Sequence, residues 1–185
     1  DGVAAWQDVS GNNFDVSQSN ASYEPTYQTG QINGLPVVSF DGADDFLEDN
    51  ASYTGRDVYV VFRMSSADQN TSQLGHLWGN YQEGAQVGPD ARSDNERGYS
   101  FDGETSSGTE AKYGHNGDDF GSLVTDGNYS QWTYDDFYLV SARFEEGQSI
   151  TQQIVGSLYP EFSVGEHQLG GDIAEMIVYN SPLND

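Results

Sequence analysis

Carboxylate and amide side chains form short clusters along this chain of 185 residues. Ca²⁺ binds about six to eight oxygen atoms, which carboxylates, amides and backbone carbonyls on flexible loops supply. One cluster follows a predicted strand and contains Asp41, Asp44 and Asp45. The Gly- and Asp-rich segment 79–131 contains the residues that we favour as Ca²⁺ ligands, which are Asp90, Asp94, Asp102, Asn116, Asp118 and Asp119. We predict at least one bound Ca²⁺; the alternative is a solvated acidic surface, on which similar clusters arise by chance.

The same segment carries aromatic and basic side chains that suit a ligand site. Sugars pack on aromatic faces, and a peptide carboxylate binds to arginine or to a metal ion. Two of the five arginines lie between residues 92 and 97, in an otherwise anionic chain. The predicted ligand-binding residues are Tyr81, Arg92, Arg97, Tyr99, Tyr113, His115 and Trp132. A glycan is the preferred ligand and a peptide end the second, and a local ion pair is the alternative role of each arginine.

Catalytic patterns are absent from the sequence. Glycoside hydrolysis requires two carboxylates about 5–10 Å apart. Asp172 and Glu175 lie three residues apart on a predicted strand, so we expect them on opposite faces. The chain has no H-E-x-x-H or G-x-S-x-G motif, and we interpret His76, His115 and His167 as structural or solvent-facing. We predict that the protein is not an enzyme; the alternatives are a glycosidase or lyase, an accessory carbohydrate-binding module, and a passive structural spacer.

The net charge of the chain is −24, because 30 Asp and Glu residues outnumber 6 Lys and Arg residues. This field repels nucleic-acid phosphates and anionic lipid surfaces, so we exclude nucleic-acid binding as a main function. No apolar stretch approaches the roughly 18 residues of a membrane span, so we also exclude membrane insertion. The chain has no cysteine, and its acidic surface suits folding in salty water, as in marine or halophilic bacteria. We predict an extracellular or cell-surface location.

The apolar runs that must position these residues are short, β-branched and aromatic, with Gly, Asn and Asp between them. The clearest runs are Leu35–Phe40, Val58–Met64, Phe137–Phe144, Ile150–Val155 and Ile173–Tyr179. Short strands without helices indicate a β-sandwich or barrel. Val58–Met64 alternates poorly, so we expect it in the centre of a sheet with both faces buried. Further short strands, joined by long loops, are expected within 79–131.

Two local features are interpreted as structural. Asp8 precedes a Ser-Gly-Asn sequence at 10–12, and we expect its carboxylate to accept hydrogen bonds from nearby backbone N–H groups in a turn. Trp6 and Trp78 are predicted to lie in the hydrophobic core, because each belongs to a short apolar run.

Three segments, in the same order along the chain, carry a resemblance to a known family. They are Trp6–Asn12 (WQDVSGN), Asn33–Gly42 (NGLPVVSFDG) with Asp44–Leu47 (DDFL), and Gly171–Asn180 (GDIAEMIVYN) with Leu183. The chain resembles the laminin-G-like, concanavalin-A-like group of jelly-roll domains, including its pentraxin-like members. The resemblance implies two packed antiparallel sheets, and Ca²⁺ often bound at the loop ends. In secreted bacterial proteins such domains often act in adhesion or polysaccharide binding, and the E-x-D-x-x-E string of the related glucanases is absent here.

Together these observations predict an all-β fold, a two-sheet antiparallel jelly-roll β-sandwich with long Gly/Asp-rich loops. We expect one domain over residues 1–185, excised from a larger extracellular protein and monomeric as a module. The predicted function is Ca²⁺-dependent binding, lectin-like or peptide-binding, in a large bacterial surface adhesin or secreted protein. The expected partner is a glycan or peptide on another cell or surface.

Overall fold

The computed structural model describes residues 1–50, 52–66, 76–80, 86–91, 97–102, 111–115, 133–157 and 168–183, with side chains at all of these except 80, 86–91, 97–102, 111–115 and 145–148. This part of the chain forms thirteen β-strands and no helix. The prediction of an all-β protein is confirmed. Short strands also cross the segment 79–131, as predicted.

Six strands form one antiparallel sheet. In chain order they are β3 (Thr26–Ile32), β4 (Leu35–Asp41), β6 (Tyr53–Met64), β10 (Ala111–His115), β11 (Phe137–Ile150) and β13 (Gly170–Tyr179). Their spatial order is β10-β11-β6-β13-β4-β3, so β6 lies between the two longest neighbours, β11 and β13. The apolar run Val58–Met64 therefore occupies the middle of the sheet, as predicted.

Seven strands form the second antiparallel sheet. In chain order they are β1 (Ala5–Trp6), β2 (Val16–Ser17), β5 (Leu47–Asp49), β7 (Trp78–Asn80), β8 (Gln86–Ala91), β9 (Arg97–Asp102) and β12 (Gln153–Val155). Their spatial order is β1-β2-β5-β12-β7-β8-β9. Gly2 bridges to Thr26 of β3, so the β1 edge of this sheet lies beside the β3 edge of the other. The opposite side of the fold is bordered by β9 and β10.

A single hydrophobic cluster joins the two sheets. The six-stranded sheet contributes Val58, Phe62 and Val140 to it, and the seven-stranded sheet contributes Leu47, Trp78 and Val155. The Trp78 ring lies 6.4 Å from the Phe144 ring of β11, measured between centroids. Trp78 is a core residue, as predicted, whereas Trp6 is only partly buried and packs against the cluster from its margin. The two sheets form the layers of a β-sandwich.

The central strand β6 is buried fully on one face only. Val58, Val60, Phe62 and Met64 point into the core, and the alternate residues from Tyr59 to Arg63 are half-buried. The prediction that both faces of this strand are buried is therefore wrong. Its residues follow the period of two that a β-strand requires, and the apolar residues on the outer face meet neighbouring strands instead of a second layer.

The predicted strand Ile150–Val155 is also wrong, because the chain changes sheets within it. Ile150 ends β11 in the six-stranded sheet, and Gln153 begins β12 in the other sheet. Residues 151–152 form the bend between them. Ile150 and Val155 are both completely buried, since they enter the same core from opposite layers.

A β-bulge in β13 overturns the expected orientation of its two acidic residues. Asp172 pairs with Arg63, and Glu175 pairs with Val61, so one extra residue is inserted in β13 between them. Arg63 and Val61 are two residues apart and share a face of β6. Asp172 and Glu175 therefore lie on the same outer face of the sheet, and not on opposite faces.

Gly156 lets the chain turn beneath Phe40 after β12. Its φ of +84° lies in the left-handed region, and a Cβ at this position would overlap the Phe40 ring. Its amide donates to the Leu77 carbonyl at 3.3 Å, and its carbonyl accepts from the Leu169 amide at 2.8 Å. The position therefore combines an unusual backbone conformation with contacts to three parts of the core.

We expect Gly156→Ala to lower the free energy of unfolding by about 3 kcal/mol, because backbone strain and overpacking against Phe40 both contribute. Gly30→Ala is the matched control: its φ is +68°, but no atom lies within 4 Å of an added Cβ. Its expected loss is about 1 kcal/mol. Urea unfolding of both variants measures the difference, and equal losses would contradict the proposed contact with Phe40.

Candidate functional site

The loop between β4 and β5 begins with a turn that Asp41 closes. The Asp41 carboxylate accepts hydrogen bonds from the amides of Ala43 and Asp44, at 2.8 and 3.3 Å. Gly42 has a φ of +75° and donates its amide to the Leu169 carbonyl at 3.1 Å. This turn bends the chain sharply, so the acidic residues at 44 and 45 come back beside Asp41.

Asp45 is held inside this loop. Its side chain is buried, at 6% exposure, and accepts a hydrogen bond from the Asp41 amide at 2.9 Å. The next residue, Phe46, is also buried and donates its amide to the Tyr23 carbonyl. Its own carbonyl accepts from the Gln18 side chain at 3.2 Å. The Asp45 carboxylate is therefore held by the Asp41 amide, and the backbone of the next residue is held by Tyr23 and Gln18.

The three carboxylates of this loop, which we call the acidic cluster, are Asp41, Asp44 and Asp45. One oxygen from each lies within 4.8 Å of the others. Burial, together with the negative charges of Asp41 and Asp44, raises the pKa of Asp45 to about 7. Burial and the Asp41 charge also raise the pKa of Asp44. The negative charges of the three carboxylates therefore repel one another, and a bound proton or metal cation would reduce this repulsion.

Two of the six cation ligands favoured on sequence grounds lie on described strands. Asp90 is in β8 and Asp102 ends β9, and their backbone register places Asp90 opposite Gly98 and Asp102 opposite Gln86. Asp102 is four residues after Gly98, so about 13 Å along the strands separates Asp90 from Asp102, and they belong to different clusters. The remaining favoured ligands lie outside the described residues, and they are Asp94, Asn116, Asp118 and Asp119. The spacing of the acidic cluster was visible in the sequence, but the burial of Asp45 was not.

Four of the seven predicted ligand-binding residues lie on two edge strands. Arg97 and Tyr99 are in β9, and Tyr113 and His115 are in β10. These strands end different sheets but border the same side of the sandwich, opposite the bridge at Thr26. The other three residues lie outside the described part of the chain, and they are Tyr81, Arg92 and Trp132. By strand order, these four residues lie at corresponding edges of the two sheets.

The turn predicted at Asp8 is confirmed. Its two carboxylate oxygens accept from the Ser10 amide at 2.7 Å and from the Phe14 amide at 3.1 Å. The Ser10 hydroxyl donates to it as well, at 2.8 Å. Slight burial acts to raise the pKa of Asp8, but the hydrogen bonds from Ser10 and Phe14 outweigh burial and lower it. This carboxylate stabilises a loop and is already engaged there.

A groove of about 340 Å³ lies on the outer face of the six-stranded sheet. We call it the outer groove; its lining residues are Tyr59, Val61, Leu139, Glu175, Ile177, Tyr179 and Leu183. The rings of Tyr59 and Tyr179 meet edge to face, 6.0 Å apart and at 89°. No sequence motif pointed to it. The available signal was the alternation of Ile177 and Tyr179 on a strand whose inner face is also apolar.

Two ion pairs involve residues on the outer side of the six-stranded sheet. Arg143 binds Asp57, which is completely buried, with contacts of 2.8 to 3.1 Å from its guanidinium nitrogens. The same pair holds Leu183, whose carbonyl accepts from Arg143 at 2.9 Å and whose amide donates to Asp57 at 3.0 Å. Arg63 binds Asp172, with 2.7 Å between Nε and Oδ2. Both guanidinium groups therefore already have carboxylate partners.

The bulge in β13 does not create an accessible pair of carboxylates that would support catalysis. Asp172 shares a face with Glu175, but it is buried and bound to Arg63, so it is not open to a substrate. His76 is buried beside Leu77 in the core, which agrees with a structural role. His115 lies in β10, and His167 lies outside the described residues. The prediction that the protein is not an enzyme stays a prediction.

No protein-family model, curated protein or solved structure matches this chain. The resemblance to laminin-G-like domains therefore stays a prediction. The two antiparallel sheets agree with the β-sandwich that it implies. In the part of the chain that the structure describes, no helix has the length and apolarity that crossing a membrane requires.

The pKa of Asp45 predicts a pH dependence. Because this pKa is raised in the folded state, the folded chain holds a proton between roughly pH 4 and pH 7 that the unfolded chain releases. The stability from this group is therefore present at low pH and is lost as the pH rises through about 7. Asp45→Asn keeps an acceptor for the Asp41 amide and removes the charge. With EDTA at about pH 8, we expect it to raise the free energy of unfolding by about 1 kcal/mol or more.

Urea unfolding from roughly pH 5 to pH 8 measures this effect. The matched control is Asp136→Asn, which removes one exposed carboxylate and preserves an acceptor for the Thr133 hydroxyl. The stability of the control should follow that of the parent protein at every pH. If Asp45→Asn shows the same pH dependence as the control, Asp45 is not the group that titrates.

Proposed function

We propose that this protein is a Ca²⁺-dependent ligand-binding module of an extracellular or cell-surface protein, lectin-like or peptide-binding, with a jelly-roll β-sandwich fold. The observation that carries the proposal is the acidic cluster on the β4–β5 loop, where three carboxylate oxygens lie within 4.8 Å of one another. The strand order supports the jelly roll, because the chain passes repeatedly from one sheet to the other. Adhesion to another cell or surface is the role that such a module would serve.

The chemistry of the acidic cluster suits a hard cation. Carboxylate oxygens are preferred Ca²⁺ ligands, and backbone carbonyls and water complete the coordination in loop sites. Both ion pairs that are described use other carboxylates, those of Asp57 and Asp172. The charge of Asp45 is therefore balanced neither by Arg63 nor by Arg143. A divalent cation would supply the compensation that the arginines supply elsewhere in the molecule.

The charge of the whole chain supports the same conclusion. A net charge of −24 raises the local concentration of cations at the surface, and most of all where carboxylates are closest. It also disfavours anionic partners such as nucleic acids. For the ligand, the supporting observation is that β9 and β10, with Arg97, Tyr99, Tyr113 and His115, border one side of the sandwich. Loops on a rigid sandwich are common places for binding sites.

Ca²⁺ is expected to stabilise the protein specifically. With free Ca²⁺ at about 100 times its Kd, the free energy of unfolding should rise by about 2.7 kcal/mol relative to EDTA. Asp44→Asn and Asp45→Asn should each remove most of this rise, whereas Asp136→Asn should retain it. Because Asp45 must lose its proton to bind the ion, the affinity should fall as the pH drops below about 7. Thermal unfolding and calorimetric titration measure both effects.

The control for general screening is NaCl or Mg²⁺ at matched ionic strength. An equal rise with NaCl would show that the acidic residues are only a hydrated surface. A Ca²⁺-specific rise that survives both Asp44→Asn and Asp45→Asn would place the ion at another cluster, such as the favoured ligands between residues 90 and 119.

A further inference from the structure

The outer groove takes no part in the proposed Ca²⁺ site, and it has the properties of a binding site of its own. Its volume of about 340 Å³ is within the range of about 300–1,000 Å³ that is usual for small-ligand pockets. Its apolar side chains remain accessible: Ile177, Leu183 and Tyr179 are 39%, 38% and 37% exposed. From these and the following observations we propose that the outer groove binds a basic peptide through one lysine or arginine side chain.

The floor of the groove suits an aliphatic stem. Val61, Leu139 and Ile177 come from three adjacent strands and form a continuous apolar surface. The straight methylene chain of lysine or arginine packs along such a surface while its charged end stays near water. Burial of these methylene groups contributes roughly 25 cal/mol for each Å² removed from water.

Contacts within the protein hold the walls of the groove in place. Ile177 pairs with Tyr59 across β13 and β6, and the Tyr59 ring meets the Tyr179 ring edge to face. Leu183, at the far end, is fixed by backbone hydrogen bonds to the Arg143–Asp57 ion pair. A site that is already ordered loses little conformational entropy on binding.

The negative charge of the groove favours a ligand with a positively charged end. Glu175 is exposed and is the charged side chain among the residues that line the groove. The neighbouring arginines, Arg63 and Arg143, are bound to Asp172 and Asp57, so they offer no uncompensated positive charge to an anion. The net charge of −24 attracts a cationic peptide further. A lysine or arginine head group would lie at the Glu175 carboxylate, with its stem along the apolar floor.

A glycan fits the groove less well than a basic side chain. Sugar hydroxyls require several hydrogen-bonding groups around an aromatic platform, and the polar groups of the lining are Glu175 and two tyrosine hydroxyls. The Tyr59 side chain already forms a hydrogen bond with Arg143. The predominance of apolar lining therefore favours an aliphatic ligand with one charge over a ligand with many hydroxyls.

The test uses the whole chain in EDTA, because the proposed groove does not require Ca²⁺. The probe is the capped peptide Ala-Leu-Lys-Leu-Ala, titrated calorimetrically at physiological salt, which screens the long-range field. Its control replaces the lysine by norleucine, which keeps the aliphatic stem and loses the charge. We expect the lysine peptide to bind and the norleucine peptide to bind about three- to fivefold more weakly.

Three variants of the protein locate the site. Glu175→Gln should weaken the lysine peptide about three- to fivefold, and Ile177→Ser should weaken both peptides about tenfold. Glu24→Gln is the matched control: it removes one carboxylate before β3, two strands away from β13, and should change the affinity less than about twofold. Ile177 and Glu175 are exposed, so unchanged thermal unfolding should verify that both variants are folded.

Several outcomes would overturn the proposal. Equal losses of affinity for the lysine peptide in Glu175→Gln and Glu24→Gln would show that the peptide is attracted to the acidic surface in general. Equal binding of the two peptides would show an apolar site without charge selection, and displacement of the peptide by a neutral oligosaccharide would show a glycan site. If neither peptide binds at millimolar concentration, the outer groove is not a peptide site. Absence of Ca²⁺-dependent stabilisation contradicts only the proposed function, because these titrations contain EDTA.

Discussion

The pairing of β6 with β13 supports both surfaces of the six-stranded sheet. On the inner face, Phe62 and Ile173 are paired and completely buried, and they join the core that the two sheets share. On the outer face, the same two strands carry Tyr59 and Ile177, which are paired in the outer groove. The bulge in β13 lies between these two regions and brings Asp172 and Glu175 to the outer face. A shift in the register between β6 and β13 would therefore disturb the core and the groove together.

Charge compensation is the second constraint on the fold. With 6 basic residues for 30 acidic ones, few carboxylates can have an arginine partner. Two of the five arginines, Arg63 and Arg143, bind the buried carboxylates Asp172 and Asp57. Asp45 is similarly buried, but its neighbours are carboxylates, and its pKa is raised where an ion pair would lower it. Asp45 of the acidic cluster is thus a buried carboxylate that the described arginines do not pair with.

The sequence predicts the elements whose signal is local. The apolar run Val58–Met64 indicates the central strand, the residues after Asp8 indicate its turn, and Asp41 to Asp45 are close enough in sequence to meet in one loop. Features that depend on another strand were not predicted. The bulge at Ala174 shows only in the register against β6, and the bend at Thr151 exists because two sheets share one core. The outer groove combines three strands that are distant in sequence, so no single segment carries its pattern.

The acidic cluster lies beside the first residue of β13, and residues further along β13 line the outer groove, yet the two are electrostatically separate. Gly170 pairs with Asp41, so the first residue of β13 lies beside the cluster, whereas Ile177 and Tyr179 line the groove. Glu175, the charged residue of the groove, is five residues after Gly170, which corresponds to about 15 Å along the bulged strand. This distance exceeds the Debye length of about 8 Å at physiological salt, so the charge of a bound cation is largely screened before it reaches Glu175. The two sites can therefore act independently.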